Sequence, residues 1–475
     1  MRPPRIGAGA AALLLGLLPA PVPAQAAPAP GPTALDEYVA RPDPSYAWEL
    51  VRSLEGEGFT AHVVDLTSQT WLDAEAVDRT LWKHWLVLTV PEGADRRTAL
   101  LYIGGGANGG EAPEGPHARS AALARAAGVA VAELQMVPNQ PLVFEGDGER
   151  RWEDDLVAYT WKRALETGEE RWAARLPMVK AAVRAMDTVQ ALLSGLEADA
   201  LPVERFVVAG ASKRGWTTWL TGAVDPRVAA IAPIVIDVLN VVPSMEHHFG
   251  AYGFWAPAVG DYVHHGITER RRDPAFARLM ELVDPHAYRD RLGMPKLILN
   301  ASGDEFFLPD SSRFYFDDLP GEKLLRYVPN AGHSLSGTDA LETLSAFTRA
   351  VAGDAPRPRC TWKFQEDGSI RVESPDAPTA VRLWTATNPA ARDFRMESLG
   401  PVWEARDLEP EAEGVWRAPL EAPAEGFRAG FVELSFDGRG GGPPWKLTTE
   451  VRVLPDVLPF AGALEETEAP ASGGR

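Results

Sequence analysis

The chain has almost no cysteine. Cys360 is the single one in 475 residues, so no intrachain disulfide can form and stability has to come from packing. Nothing near it in sequence would lower its pKa, so a structural thiol is a better reading than a nucleophile. Basic residues are also in deficit: 47 Lys and Arg against 66 Asp and Glu give a net charge of −19, which argues against nucleic acid or an anionic membrane surface as a partner. Long apolar runs are nearly absent. The run from Ile6 to about Ala20, preceded by Arg2 and Arg5, is too short to span a bilayer and is followed by Ala24-Gln25-Ala26. A signal peptide over residues 1–26 is expected, with cleavage near Ala26 and a periplasmic or secreted product; an uncleaved anchor is the alternative. Loss of Arg2 and Arg5 takes the charge from −19 to −21. No second long apolar run follows, so no integral membrane segment is expected in the mature protein.

What is present is a globular composition, 45% hydrophobic and 24% charged, long enough for two or three domains. From 33 to 353, short β-rich runs alternate with helical patterns, the signature of a mostly parallel sheet flanked by helices. Strands are expected at 86–90 and 99–103, as a hairpin or adjacent pair, then at 129–134, 205–209, 231–236, 296–300 and 323–328. Helices are expected at 119–127 and near 177–195. Between Asp237 and Lys296 the connection is far longer than the usual two to six residues. This insertion, about 238–295, is rich in aromatics and histidine and suits a cap over a pocket. After Asp354-Ala355-Pro356-Arg357-Pro358 the helical periodicity stops. Short alternating runs, with a hairpin signal at Asp367-Gly368, predict a β-sandwich over 358–455. The Glu/Ala/Gly/Pro-rich stretch 456–475 is expected to be a disordered tail.

The chemistry concentrates in Val207-Val208-Ala209-Gly210-Ala211-Ser212-Lys213-Arg214-Gly215-Trp216, a buried strand running into a sharp turn and a helix. A serine there is held above the sheet beside a backbone N–H. The second glycine of the G-x-S-x-G pattern is displaced by one residue, to Gly215. A serine nucleophile needs a base and an orienting acid, and both follow in order at successive strand ends: Asp304 in Ser302-Gly303-Asp304-Glu305 and His333 in Asn330-Ala331-Gly332-His333-Ser334. Asp237, at the end of the preceding strand, is an alternative acid. The loop Gly104-Gly105-Gly106-Ala107-Asn108-Gly109-Gly110 follows an early strand, and its uncovered backbone N–H groups, at Gly105 and Gly106, suit a second oxyanion donor.

Lys213 and Arg214 set two cations in the first turn of a helix, against the positive end of its dipole. Either they assist the oxyanion or bind a substrate carboxylate, or they pair with acidic neighbours. Glu153-Asp154-Asp155 opens a helix and is read as its acidic cap. The pairs His247-His248 and His264-His265 diverge on any regular element, so no metal is assigned, although His247 or His248 could touch substrate from the cap.

These residues carry a resemblance. Tyr38-Val39 with Tyr46-Ala47-Trp48, Gly104-Gly105-Gly106-Ala107-Asn108, the Glu153 to Trp161 segment and Gly210-Ala211-Ser212-Lys213-Arg214-Gly215-Trp216 are similar to the PhoPQ-activated pathogenicity-related protein family, over about Leu35 to Pro455. That resemblance implies an α/β-hydrolase core with a serine-hydrolase site, export and envelope biology. The displaced glycine with a basic residue after the serine also resembles the elbow of glucuronoyl esterases, whose basic side chain helps to hold the oxyanion; Lys213 would take that part here. The expected activity is ester hydrolysis, with amide cleavage as a second possibility, on a small-molecule or envelope-derived substrate and without a cofactor. Two other readings stand beside it: a hydrolase fold that binds or signals without turnover, and a β-sandwich that binds envelope polymers with the core as scaffold.

Overall fold

The computed structural model describes residues 31–196 and 202–464. The leader expected over 1–26 lies outside them.

The strands of the N-terminal three quarters are β1 (Ala47–Gly56), β2 (Phe59–Thr70), β3 (Leu81–Pro91), β4 (Asp95–Ile103), β5 (Val129–Leu134), a short ribbon of β6 (Leu142–Val143) and β7 (Arg150–Arg151), then β8 (Arg205–Ala211), β9 (Val228–Ile234), β10 (Lys296–Ala301) and β11 (Lys323–Val328). All but the ribbon join one sheet in the order β1-β2-β3-β5-β4-β8-β9-β10-β11. The first three pair antiparallel and β5 runs antiparallel to β3. From β5 onward every pair is parallel. This is the α/β-hydrolase fold. β5 and β10 are buried along their whole length, as strands covered on both faces must be, and their sequences are near-continuous apolar runs for that reason.

The expected pairing of 86–90 with 99–103 is not found. β5 lies between β3 and β4, pairing Leu86 with Leu134 and Leu101 with Ala132. The apolar run of β5 buries both faces only in the sheet interior, so the chain skips one strand position after the turn at 92–94. β9 also starts three residues earlier than expected and ends at Ile234, where Val235 leaves the sheet with φ +43°. The β1–β2 hairpin, turning at Gly58 with φ +73°, was not anticipated.

The segment between β9 and β10 is helical, with helices Val241–Tyr252, Gly260–His264 and Pro274–Val283. Beyond 358 come β12 (Thr361–Phe364), β13 (Ile370–Glu373), β14 (Ala380–Asn388), β15 (Glu404–Asp407), β16 (Pro410–Ala412), β17 (Val415–Ala418), β18 (Phe427–Phe436), β19 (Trp445–Thr448) and β20 (Arg452–Leu454). They form two sheets, β12-β13-β17-β16 and β15-β14-β18-β19, with β20 on β18. β15 and β16 are exposed throughout, so no apolar alternation marked them. The tail expected to be disordered from 456 is packed through 464. Asp456 pairs with Arg313 at 2.9 Å, Leu458 packs against the Ala251, Tyr252, Ala256 and Leu308 cluster, and Phe460 N–H donates to Gly250 O at 2.9 Å.

Candidate active site

Three of the sequence candidates sit beyond the carboxyl ends of parallel strands on one side of the sheet, the edge where open α/β sheets bind ligands. Ser212 follows β8, Asp304 follows β10 and His333 follows β11. Ser212 holds φ +58° and ψ −127°, outside the regions an L-residue occupies freely. Strain of this kind costs about 1–3 kcal/mol and persists only where the surroundings enforce it. Here the enforcement is visible. Ser212 N–H donates to Ile234 O at 2.8 Å, Ser212 O accepts from Trp216 N–H at 3.0 Å, and the two flanking glycines let the strand and helix close on one another. A Cβ on Gly210 would stand 2.8 Å from Arg214 O, and one on Gly215 would stand 2.9 Å from both Gly210 O and Ile234 O. Displacing the second glycine by one residue therefore moves the contact without removing the need for it.

His333 Nδ1 lies 2.9 and 3.0 Å from the two oxygens of Asp304. Asp304 also accepts from Phe306 N–H at 2.8 Å and Phe307 N–H at 3.3 Å, and Glu305 accepts His333 N–H at 2.7 Å. With an ionised carboxylate opposite, Nδ1 carries the ring proton and Nε2 is the free basic nitrogen. Nε2 is buried and makes no hydrogen bond, so Ser212 Oγ and the ring are not bonded here; such bonds commonly tighten only when substrate is present. Phe306 packs against the ring, tilted by 40° with centroids 4.3 Å apart. Glu305 was not singled out in the sequence, where only its place beside Asp304 marked it.

Asp237, the alternative acid, does not meet His333. It is buried between Tyr315 Oη at 2.6 Å and Tyr327 Oη at 2.5 Å, and burial pushes its pKa up to about 8.

The basic pair follows the second of its expected readings, pairing with acidic neighbours, but it does so buried and not at the surface. Lys213 is 5% exposed, and its ammonium sits 2.9 Å from Glu153 and 2.8 Å from Asp154. Arg214 makes two bonds of 2.7 Å to Glu153 and one of 2.5 Å to Val137 O. Burial alone would raise the Glu153 pKa, but Arg214 and then Lys213 outweigh it and hold the acid at about 2. The acidic run at 153–154 is thus the counter-charge to the elbow. Arg214 does not line the cavity beside Ser212; it lies under the glycine loop, 2.6 Å from where a Gly105 Cβ would be. That loop is tied to the chain after β5: Met136 N–H donates to Gly105 O at 2.8 Å and Val137 N–H to Gly104 O at 3.1 Å. Gln140 joins the parts, donating to Gly106 O at 3.1 Å and to Glu153 at 2.5 Å. Gly106 holds φ +137°, and a Cβ there would press on Met136.

Ser212 and Lys213 open on a mostly apolar cavity of about 100 Å³, walled by Trp161, Trp216 and Phe306 from the core and by His248 and Trp255 from the inserted helices. His248 Nε2 accepts from Ala256 N–H at 3.0 Å, and burial lowers its pKa to about 3, so it faces the cavity as a neutral ring. His247 turns away to Asp310 at 3.0 Å, and His265 is held by Asp155 at 2.7 Å. Among the described residues, no group of three or more His, Cys, Asp or Glu side chains could hold a metal, and no helix is long and apolar enough to cross a membrane. Burial pushes the Cys360 thiol up to about 12, far from a thiolate at neutral pH. Arg175, just before the helix expected near 177–195 and in fact its first residue, also lines the cavity.

The chain is 40% identical over 471 residues to autocrine proliferation repressor protein A of Dictyostelium discoideum, an alignment covering 93% of this chain and 94% of that one. Solved structures similar to it include an acetyl xylan esterase from Paenibacillus sp. R4, 16% identical with TM-score 0.46, covering 67% of this chain and 91% of that one. A glucuronoyl esterase from Solibacter usitatus, 17% identical with TM-score 0.40, covers the same shares. A sequence profile for PhoPQ-activated pathogenicity-related proteins matches residues 35–395, from the first helix through the elbow, the Asp304 turn and His333. The chain belongs to the PhoPQ-activated pathogenicity-related protein family.

Proposed function

We propose that the protein is an exported serine hydrolase that cleaves an ester through an acyl-enzyme intermediate. Ser212 Oγ attacks the carbonyl carbon while His333 Nε2 takes its proton. Asp304 keeps Nδ1–H in place and stabilises the imidazolium. The carbonyl oxygen becomes an oxyanion facing backbone N–H groups at Lys213 and Gly105, fixed dipoles that need no reorganisation during the reaction. The C–O bond then breaks, and the imidazolium returns its proton to the departing alcohol. Water repeats the sequence on the acyl-enzyme, releasing the acid. The Lys213 and Arg214 side chains, neutralised by Glu153 and Asp154, set the geometry of the elbow and the glycine loop. Export rests on the leader at residues 1–26, and the substrate is a small molecule or an envelope-derived ester.

The observation that carries this reading is the strained Ser212 at the mouth of a cavity, together with a His333–Asp304 pair whose Nε2 is left free. A fluorophosphonate probe should label the wild type at Ser212 and leave Ser212→Ala unlabelled. Turnover of short-chain esters should fall about 10⁴-fold or more in that variant. Labelling that survives in Ser212→Ala would defeat the assignment. A folded wild type that neither labels nor turns over any ester would favour a binding protein built on the same fold.

A further inference from the structure

One of the cations around the elbow lacks an ion-pair partner among the described residues. Lys213, Arg214 and Arg175 bring three cations, while Glu153 and Asp154 bring two carboxylates. The excess belongs to Arg175. It is 1% exposed and begins the 22-residue helix Arg175–Leu196, where the helix dipole already opposes a cation. Its guanidinium donates to Lys213 O at 2.8 Å, lies over the Trp216 ring at 4.5 Å and leaves Nε without a partner. No carboxylate forms an ion pair with it among the described residues. The Tyr262 hydroxyl meets the guanidinium and donates in turn to Asp154 at 3.1 Å. Of the two acids on the cavity wall, Asp154 is engaged by Lys213, and Asp237 is held by its two tyrosines.

An unpaired guanidinium is expensive to bury, and a protein that only needed the carbonyl clamp or the stack on Trp216 could use a neutral side chain. A planar fork of donors on the wall of the cavity that holds Ser212 suits one ligand chemistry best, a carboxylate held by charge-assisted hydrogen bonds. From this geometry we infer that Arg175 is an anion subsite and that the preferred substrate is a small ester carrying a free carboxylate beside the scissile bond. This rests on Ser212 as the nucleophile.

Two matched pairs of esters test it. 4-Nitrophenyl hydrogen succinate against 4-nitrophenyl butyrate places the carboxylate on the acyl side, and O-acetylglycolate against its methyl ester places it on the alcohol side. The wild type should prefer the anionic member of at least one pair by 10-fold or more in kcat/KM. That ratio should collapse toward one in Arg175→Met and survive in part in Arg175→Lys, which keeps the charge but loses the fork. Circular dichroism and the melting temperature separate loss of the subsite from loss of the fold. Turnover of neutral esters by wild type with no preference in either pair overturns the inference and leaves the hydrolase reading intact, as does a preference that folded Arg175→Met retains. If the wild type turns over nothing, titration calorimetry on the full-length protein with monomethyl succinate against dimethyl succinate decides. Tighter binding of the monoester, lost in Arg175→Met, supports the subsite while the hydrolase reading fails; equal binding of the two sinks the subsite as well.

Discussion

At the scale of single residues, the elbow shows what a short motif encodes. The sequence presented Gly210, Ser212 and Gly215 with the wrong spacing for the usual pattern, yet both glycines sit where backbone oxygens stand closer than any Cβ tolerates. Spacing is a proxy for contact, and the contact is what folding requires. Gly215→Ala would push a methyl against Gly210 O and Ile234 O, both fixed backbone, so it should destabilise the protein by about 1–3 kcal/mol. Urea denaturation checks it, and an unchanged midpoint would mean that the helix can shift away from β8. Ser212, Asp304 and His333 were legible because each follows a recognisable strand. The partners of Lys213 and Arg214 were not. Glu153 lies 60 residues earlier in the chain, and nothing local distinguishes a carboxylate that caps its own helix from one that reaches a neighbour. Arg175 was missed because the helix expected near 177–195 begins two residues earlier, at Arg175 itself, which hid the same conflict of a cation at a helix start that marks Lys213.

At the scale of elements, the strand ends form a layer of buried polar groups beneath the site. Strand types and most positions were readable from apolar runs, but the order β3-β5-β4 was not, because order depends on which run can be covered on both faces. Asp237, three residues past the end of β9, joins two segments of chain through Tyr315 and through Tyr327 on β11. Burial raises its pKa to about 8, with the Asp304 charge adding to the effect, so the folded protein keeps this acid protonated where the unfolded chain, near 3.8, has lost its proton. The folded state therefore binds more protons between those values, and this group's contribution to stability is full below about pH 3.8 and declines as pH rises to about 8. Asp237→Asn removes the titration while keeping a side chain that bonds both hydroxyls. Its melting temperature should fall less than that of the wild type between pH 5 and pH 8. Parallel curves for the two proteins would show that Asp237 is ionised throughout.

At the scale of the whole molecule, the C-terminal sheets are not an appendage. Residue composition marked a boundary near 354–358, and the two sheets do begin there, but composition cannot report which surfaces are shared. Phe394, Trp403 and Phe431 belong to the same apolar cluster as the core of the nine-stranded sheet, and Trp403 packs against Phe431, which in turn meets Tyr327. The loops that carry Asp304 and His333 are anchored on this region. Met396 N–H donates to Gly303 O at 2.8 Å, and Asn330 exchanges hydrogen bonds with the Trp403 backbone at 2.9 Å in each direction. Asp310 is the polar centre of the junction. It is 3% exposed, and it receives His247 from the inserted helices at 3.0 Å and Arg392 from the C-terminal region at 2.6 Å. Burial would raise its pKa, but Arg392 and His247 hold it well below the usual carboxylate range. Removing Arg392 alone leaves a buried carboxylate short of its strongest partner, so Arg392→Met should cost about 3–5 kcal/mol. Adding Asp310→Asn to that variant removes the stranded charge and should recover part of the loss. Denaturation of the single and double variants reads both effects. A double variant no more stable than Arg392→Met alone would show that packing of the arginine stem, and not the ion pair, holds the C-terminal region on the hydrolase core.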